Sequence, residues 1–295
     1  LLGLIILLAV TFALLLGLAG TAGGTRFLGD SLRSWSAGAV DWQSIEGTLL
    51  GSLVLRGLQV RQPTLSLEVQ TLQLQWRPAS LAEGLLDVRE MLVEGVRVQW
   101  VGSAGTQPEP VSLRPADLSL PLDVALADLR ILDLTVSNGE QPATAIDRVE
   151  LVARLVDRQV FLEHFALRTQ QGGVVGSGQA ELSDELPLTL GADWDWVLPD
   201  QRQTGGTVNV SGNADRLLIE HRGSGALPLV LTGELKNVLA TPQWALALSW
   251  PEFTLSTEGQ PLWLGPGSLA SRGGLASYSL SGNGLVRGAG LGAAR

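Results

Sequence analysis

The order of apolar and polar positions divides the chain into a short helical stretch and a long alternating one. Leu1–Ala19 is almost entirely Leu, Ile, Val, Ala and Phe, and no charge occurs before Arg26. Nineteen residues at helical rise reach roughly 28 Å, close to the hydrocarbon thickness of a bilayer. That length predicts an uncleaved membrane anchor over residues 1–22. A signal peptide is the rival reading, because Gly20-Thr21-Ala22 is a small-residue stretch that a peptidase accepts. Next, Gly23–Ala37 (GGTRFLGDSLRSWSA) places Phe27, Leu28, Leu32 and Trp35 at helical spacing, with Arg26, Asp30 and Arg33 between them. The spacing predicts a short amphipathic helix or connector over residues 23–39, with a Trp suited to a membrane interface.

Beyond Val40 the period changes to two, which predicts strands throughout residues 40–295. Leu65, Leu67 and Val69 alternate with polar residues, and Leu72, Leu74 and Trp76 resume one position out of phase, as a β-bulge would require. The same alternation marks Val96/Val98/Trp100, Leu118/Leu120/Leu122, Leu132/Leu134/Val136 and Val149–Leu155. Farther on it marks Leu186/Leu188/Leu190, Trp194/Trp196, Val208/Val210, Leu217/Ile219 and Trp244/Leu246/Leu248/Trp250. Asn138-Gly139, Gly172-Gly173, Gly205-Gly206 and Gly212-Asn213 read as turns between them. Within this part only Pro78–Glu83 reads as a short helical turn, with Pro at its first position.

Two internal echoes support stacked hairpins. LVLRGLQV (Leu53–Val60) aligns with MLVEGVRV (Met91–Val98) at a spacing of thirty-eight residues, matching Gly57 with Gly95. The same step leads to LRILDLTV (Leu129–Val136), where Asp133 replaces the glycine. The segment from Gly178 to Trp194 echoes that from Gly233 to Trp250. The expected fold is therefore all-β: an N-terminal transmembrane helix, then an elongated, curved antiparallel sheet with one apolar face. That face either packs against another sheet or curls around an apolar ligand. Its candidate lining is Leu65, Leu67, Val69, Leu72, Leu74, Trp76, Val96, Val98, Trp100, Leu132, Leu134, Val136, Leu188, Leu190, Leu246 and Leu248.

Chemistry narrows the function by what is missing. The chain of 295 residues has a net charge of −9, one Lys and no basic stripe, which argues against nucleic acid as a partner. It has no Cys, so thiolate metal sites, disulfides and a Cys nucleophile are excluded. Its two histidines, His164 and His221, stand far apart in sequence and lack metal-ligand spacing. Asp193 and Asp195, interleaved with Trp194 and Trp196, resemble a glycosidase pair only superficially. Carboxylates two apart on a strand usually form its wet face. No catalytic residues, metal or cofactor are expected.

The N-terminal third carries a family resemblance. An apolar anchor, GGTRFL, then Val40–Gly47 (VDWQSIEG) and Leu49–Val60 (LLGSLVLRGLQV) resemble the beginning of the TamB family, within the wider AsmA-like group. Leu65–Trp76, Pro78–Gly84, Leu85–Val88 and Met91–Trp100 follow the family's order of strand, Leu-containing turn, strand and G-V-x-V strand. The resemblance covers about Leu1–Trp100, and beyond it only the β-rich texture agrees. It implies a single-pass inner-membrane protein with its bulk in the periplasm, folded as a "β-taco" whose groove conducts phospholipid toward the outer membrane. It also implies a TamA-like outer-membrane partner, engaged through a C-terminal region not seen here. The alternative reading is a scaffold that assists assembly of outer-membrane β-barrel proteins. An exported β-solenoid adhesin is a third.

Overall fold

The computed structural model describes residues 20–35, 39–62, 65–100, 122–138, 143–257, 260–288 and 291–294. Leu1–Ala19, which carry the anchor expectation, and Leu118 and Leu120 of an expected strand lie outside the described residues. Among the described residues no helix is long and apolar enough to cross a membrane. The described residues divide into two compact units, one drawn from residues 20–155 and the other from 156–294.

The first unit opens with α1 (Ala22–Trp35), where the amphipathic pattern predicts a helix. Thr25 is buried, and its Oγ1 accepts a hydrogen bond from the Leu49 amide at 3.1 Å. Phe27 is exposed. Arg33 meets Asp41 at 2.8 Å and stands 4.7 Å over the ring of Trp42. The strands are β1 (Val40–Asp41), β2 (Ser44–Gly47), β3 (Ser52–Gln62), β4 (Leu65–Arg77), β5 (Leu85–Trp100), β6 (Asp123–Asn138) and β7 (Thr144–Val156). They pair in the order β1-β3-β4-β5-β6-β7, with β2 also on β3. Pro78–Glu83 forms the expected 3-10 turn, and Gly84 closes it at φ 78°, a left-handed position that glycine adopts freely. One pairing departs from the antiparallel expectation: β5 and β6 run parallel. Parallel neighbours need a crossover connection; residues 101–121, which join them, lie outside the described residues.

The slip in β4 is present, but it is not an inserted residue. Val69 faces Val96 and Leu72 faces Val93 with no change of register, and the one shift between β4 and β5 lies at Gln75/Trp76. The alternation slips instead in four adjacent strands at one level. Gly57 (φ 62°) in β3, Gly95 (φ 64°) in β5 and Asp133 (φ 55°) in β6 all take the left-handed conformation. Gln70 of β4 lies between the two glycines, and its side chain occupies the space a Cβ at Gly95 would need, with Cδ at 2.3 Å. Gln43 does the same over Gly57, with Cδ at 2.6 Å. The thirty-eight-residue echo is thus the repeat of one backbone kink across neighbouring strands. Such kinks bend and twist a sheet. The unit's buried cluster, Val69, Val93 and Val96, flanks this line.

The second unit comprises β8 (Gln159–Thr169), β9 (Gly172–Glu181), β10 (Leu188–Val197), β11 (Gln203–Gly212), β12 (Arg216–Gly225), β13 (Val230–Lys236) and β14 (Gln243–Trp250). After β15 (Phe253–Thr257) and β16 (Gln260–Leu264), β17 (Gly267–Gly274) and β18 (Tyr278–Asn283) return to β14. All pairs from β8 to β14, then β17 and β18, are antiparallel. A separate four-stranded sheet is formed by β15, β16, β19 (Val286–Gly288) and β20 (Leu291–Ala294). Arg202, in the turn before β11, donates from Nη1 to the Thr254 carbonyl of β15 at 2.5 Å.

Two of the expected turns differ. Gly172-Gly173 begins β9, the turn itself being Gln170-Gln171. Gly205-Gly206 lies inside β11, and the chain reverses earlier, where Gln201 takes φ 67°. A Cβ at Gly206 would stand 2.6 Å from the Arg222 carbonyl oxygen and 2.9 Å from Nε1 of Trp194. Close packing, rather than a reversal of the chain, requires this glycine.

Candidate functional site: an uncharged apolar face

Antiparallel partners project to the same side of a sheet, so the register of the second unit fixes its two faces. One line runs Gly178–Leu190–Val210–Ile219–Gly233–Leu246–Ser271–Leu280 across β9 to β18. The next runs Gly176–Ala192–Val208–His221–Leu231–Leu248–Leu269. Leu188, Trp194, Trp196, Leu217, Leu235 and Trp244 complete the same side. No Asp, Glu, Lys or Arg of β9 to β14, β17 or β18 falls on it. All stand on the other side, where Glu220 and Arg222, Glu234 and Lys236, and Arg272 line up across their strands.

This apolar face is open. Leu190 is 37% exposed, Trp196 38% and Leu280 56%, whereas Val69 in the first unit is 5% exposed. Large side chains on it lie over glycines of the next strand. A Cβ at Gly178 would meet Cδ1 of Leu190 at 3.1 Å, and one at Gly233 would meet Cδ2 of Leu246 at 2.7 Å. Trp250 lies over Gly267 in the same way, at 2.5 Å.

The polar side carries ion pairs. Arg168 Nη1 meets Asp195 Oδ1 at 2.7 Å, so the Asp193/Asp195 pair belongs to an ionic surface and Trp194 projects to the opposite side. Glu234 accepts from Lys236 at 2.9 Å and Arg216 at 2.8 Å. The Lys236 hydrogen bond chiefly holds its carboxyl below the usual range, and Arg216 adds to the effect. A cleft of about 660 Å³ opens at the ends of β13, β14 and β17, among Lys236, Thr241, Arg272 and Leu275. It is separate from the centre of the apolar face.

The residues predicted from sequence fall into two groups. In the first unit, Leu67, Leu72, Val98 and Leu134, themselves partly buried, pack on the buried Val69, Val93 and Val96. Leu65, Leu74, Trp76 and Val136 share that side by register. Trp76 Nε1 donates to the Leu49 carbonyl at 2.7 Å. Leu132 is the exception: it pairs with Glu94 and Arg148, placing it on the polar side. The slip at Asp133 moves the apolar phase from Ile131 to Leu134, so Leu132 falls between the two. The Trp100 side chain lies outside the described residues. In the second unit Leu188, Leu190, Leu246 and Leu248 all lie on the open face.

Sequence reading missed His221. It is half-buried, its ring stacks on Trp194 with centroids 5.7 Å apart and planes 15° apart, and Trp194 Nε1 donates to its Nε2 at 3.1 Å. The signal was available: His221 continues the phase of Leu217 and Ile219.

A family described as TamB, N-terminal domain, matches residues 102–295. The match begins where the resemblance read from the first hundred residues ends. No curated protein and no solved structure matches the chain.

Proposed function

Because the chain belongs to the TamB family, which acts in the cell envelope in outer-membrane assembly and lipid transport, we propose that it conducts phospholipid, with its acyl chains lying along the apolar strand face. In this reading the chain is held in the inner membrane by residues 1–22 and works in the periplasm toward a TamA-like partner. The observation that carries it is the second unit's face, continuous across its strands, partly exposed and free of charge. Burying a methylene is worth about 0.8 kcal/mol, so a two-chain lipid with roughly thirty of them meets a barrier near 24 kcal/mol in water. A continuous apolar face removes most of that barrier by contact area alone. No bond is made or broken, so the reading requires no catalytic group.

Photo-crosslinking in intact cells tests it. Crosslinkers at Leu190, Ile219 and Leu246 should capture phospholipid, and those at Thr207, Asn209 and Ala247 on the other side should not. Equal capture from both sides would sink the proposal. Anchoring has its own test: alkaline extraction should leave the whole chain in the membrane and release a form lacking residues 1–22.

The scaffold reading retains one observation. Strand β18 is exposed at every position and, among the described residues, pairs only with β17, which leaves its outer edge for strand addition. Proline at Ser279 or Ser281 would then abolish capture of an unfolded outer-membrane β-barrel strand and leave lipid crosslinking intact.

A further inference from the structure

Two hairpin turns lie side by side at one end of the second unit's large sheet. The chain leaves β13 at Lys236 and enters β14 at Gln243, and it leaves β17 at Gly274 and enters β18 at Tyr278. Gln243 pairs with Gly274, so both turns stand at the same end. The cleft of about 660 Å³ is bounded by Thr241 and Pro242 of one turn and by Leu275 and Ser277 of the other. Its size falls within the roughly 300–1,000 Å³ usual for sites that take small molecules.

Charge in the cleft is positive, although the chain as a whole carries −9. The charged residues lining it are Glu234, Lys236 and Arg272. Glu234 is already met twice, by Lys236 at 2.9 Å and by Arg216 at 2.8 Å. Arg272 is the surplus cation: Ala245 and Ser279 stand opposite it, and among the described residues no carboxylate pairs with it. A guanidinium presents a planar fork of N–H donors that fits a phosphate, and the Lys236 ammonium has donors beyond the one given to Glu234.

The cleft also adjoins the apolar face. Trp244, the first residue of β14 on that face, borders it, and Leu246 and Leu248 follow along the strand at steps of roughly 7 Å. The Trp244 ring lies against Tyr278, with centroids 6.3 Å apart, and Leu275 is 81% exposed in the turn beside them. Surplus cation and hydrocarbon surface thus meet at the end of one strand, in the order that phosphate and acyl chain follow in a phospholipid.

We propose that this cleft is a phosphate-binding site, in which Arg272 and Lys236 hold the headgroup phosphate of a lipid whose acyl chains lie along Trp244, Leu246 and Leu248. This rests on the reading of the apolar face as an acyl-binding surface. Lying at the strand ends, the site holds a lipid at the margin of the face and leaves its centre clear.

The test titrates the full chain, in an uncharged maltoside detergent, with three probes. These are dihexanoyl phosphatidylglycerol, dihexanoylglycerol (the same acyl chains without phosphate) and inorganic phosphate. The phosphate lipid should bind at least about tenfold more tightly than dihexanoylglycerol, and R272Q and K236Q should each remove most of that difference. Both side chains are exposed, so the circular dichroism of the variants should match the native chain. R222Q should keep the difference, because Arg222 lies on the same side of the sheet but at the far end of β13, opposite Val230. Inorganic phosphate should displace the phosphate lipid only at far higher concentration. Equal binding of the two lipids by the native chain, or a preference undiminished in R272Q, would overturn the phosphate site and leave the acyl-binding reading standing. Inorganic phosphate bound as tightly as the phosphate lipid would make the cleft a site for the free anion and overturn the headgroup assignment. Binding of inorganic phosphate that R272Q abolishes, with neither lipid bound, would instead overturn the acyl-binding reading, and binding of none of the three would overturn both.

Discussion

At the scale of single residues, position on one face or the other decides what a substitution does. Leu246→Asp puts a carboxylate on the open face, where side chains are only partly covered, so folding should survive while lipid capture at neighbouring crosslinkers falls at least about tenfold. Circular dichroism beside the crosslinking yield would check both halves. Gly206→Val is the converse case. Its Cβ would press on the Arg222 carbonyl at 2.6 Å, and overpacking of this kind costs about 1–3 kcal/mol. A urea midpoint no lower than that of the native chain would refute the packing account. Glu234 supplies a pH effect with a defined sign. Its folded-state carboxyl is held below its ordinary value, chiefly by the hydrogen bond from Lys236. The stabilisation is therefore present above that value and lost as pH falls through the lower, folded one. An E234Q variant should flatten that part of the acid-unfolding profile, and salt should shrink the difference because the pair is solvent-screened.

Among elements, the line of kinks shows what a sequence can and cannot disclose. Phase slips in β3, β4 and β5 are legible because Leu and Val mark the apolar phase on either side of Gly57, Gln70 and Gly95. That they fall on one level is a property of register, which no strand carries alone. Leu132 was misplaced for the same reason: Ile131 and Leu132 are both apolar at the slip, and only pairing with Glu94 shows which one faces the core side. The parallel pairing of β5 with β6 was hidden too, since local alternation is the same in either direction. Gly205-Gly206 looked like a turn because a glycine that reverses the chain and one that admits a tryptophan are spelt alike. Asp133 gives the sharpest test of the kink. At φ 55°, Asp133→Gly should be neutral or stabilising, whereas Asp133→Val should cost about 1–2 kcal/mol. Equal stability of the two, measured by urea unfolding, would remove the left-handed residue as the cause.

On the scale of the whole molecule, the two units divide the apolar surface by how far it is covered. The three valines beside the kinks are buried, whereas the second unit leaves leucines and tryptophans open. Lipid crosslinks should accordingly be strong at Leu190 and Leu246 and weak at Val69 and Val96. The reverse pattern would assign transport to the first unit. Family texture is unevenly spread as well. Motifs readable by eye sit in the first hundred residues, yet the family match lies on residues 102–295.

The glycines under Leu190, Leu246 and Trp250 have a consequence for motion. A cargo that travels must never be held too well at any one place. Deep hollows between side chains would act as stops, each adding a dwell time that grows exponentially with its depth. These glycines leave room for large side chains to lie over the neighbouring strand, where a Cβ would push them outward into a ridge. On the proposed reading, a hydrocarbon chain lying on this face would slide by many small steps and rest nowhere for long.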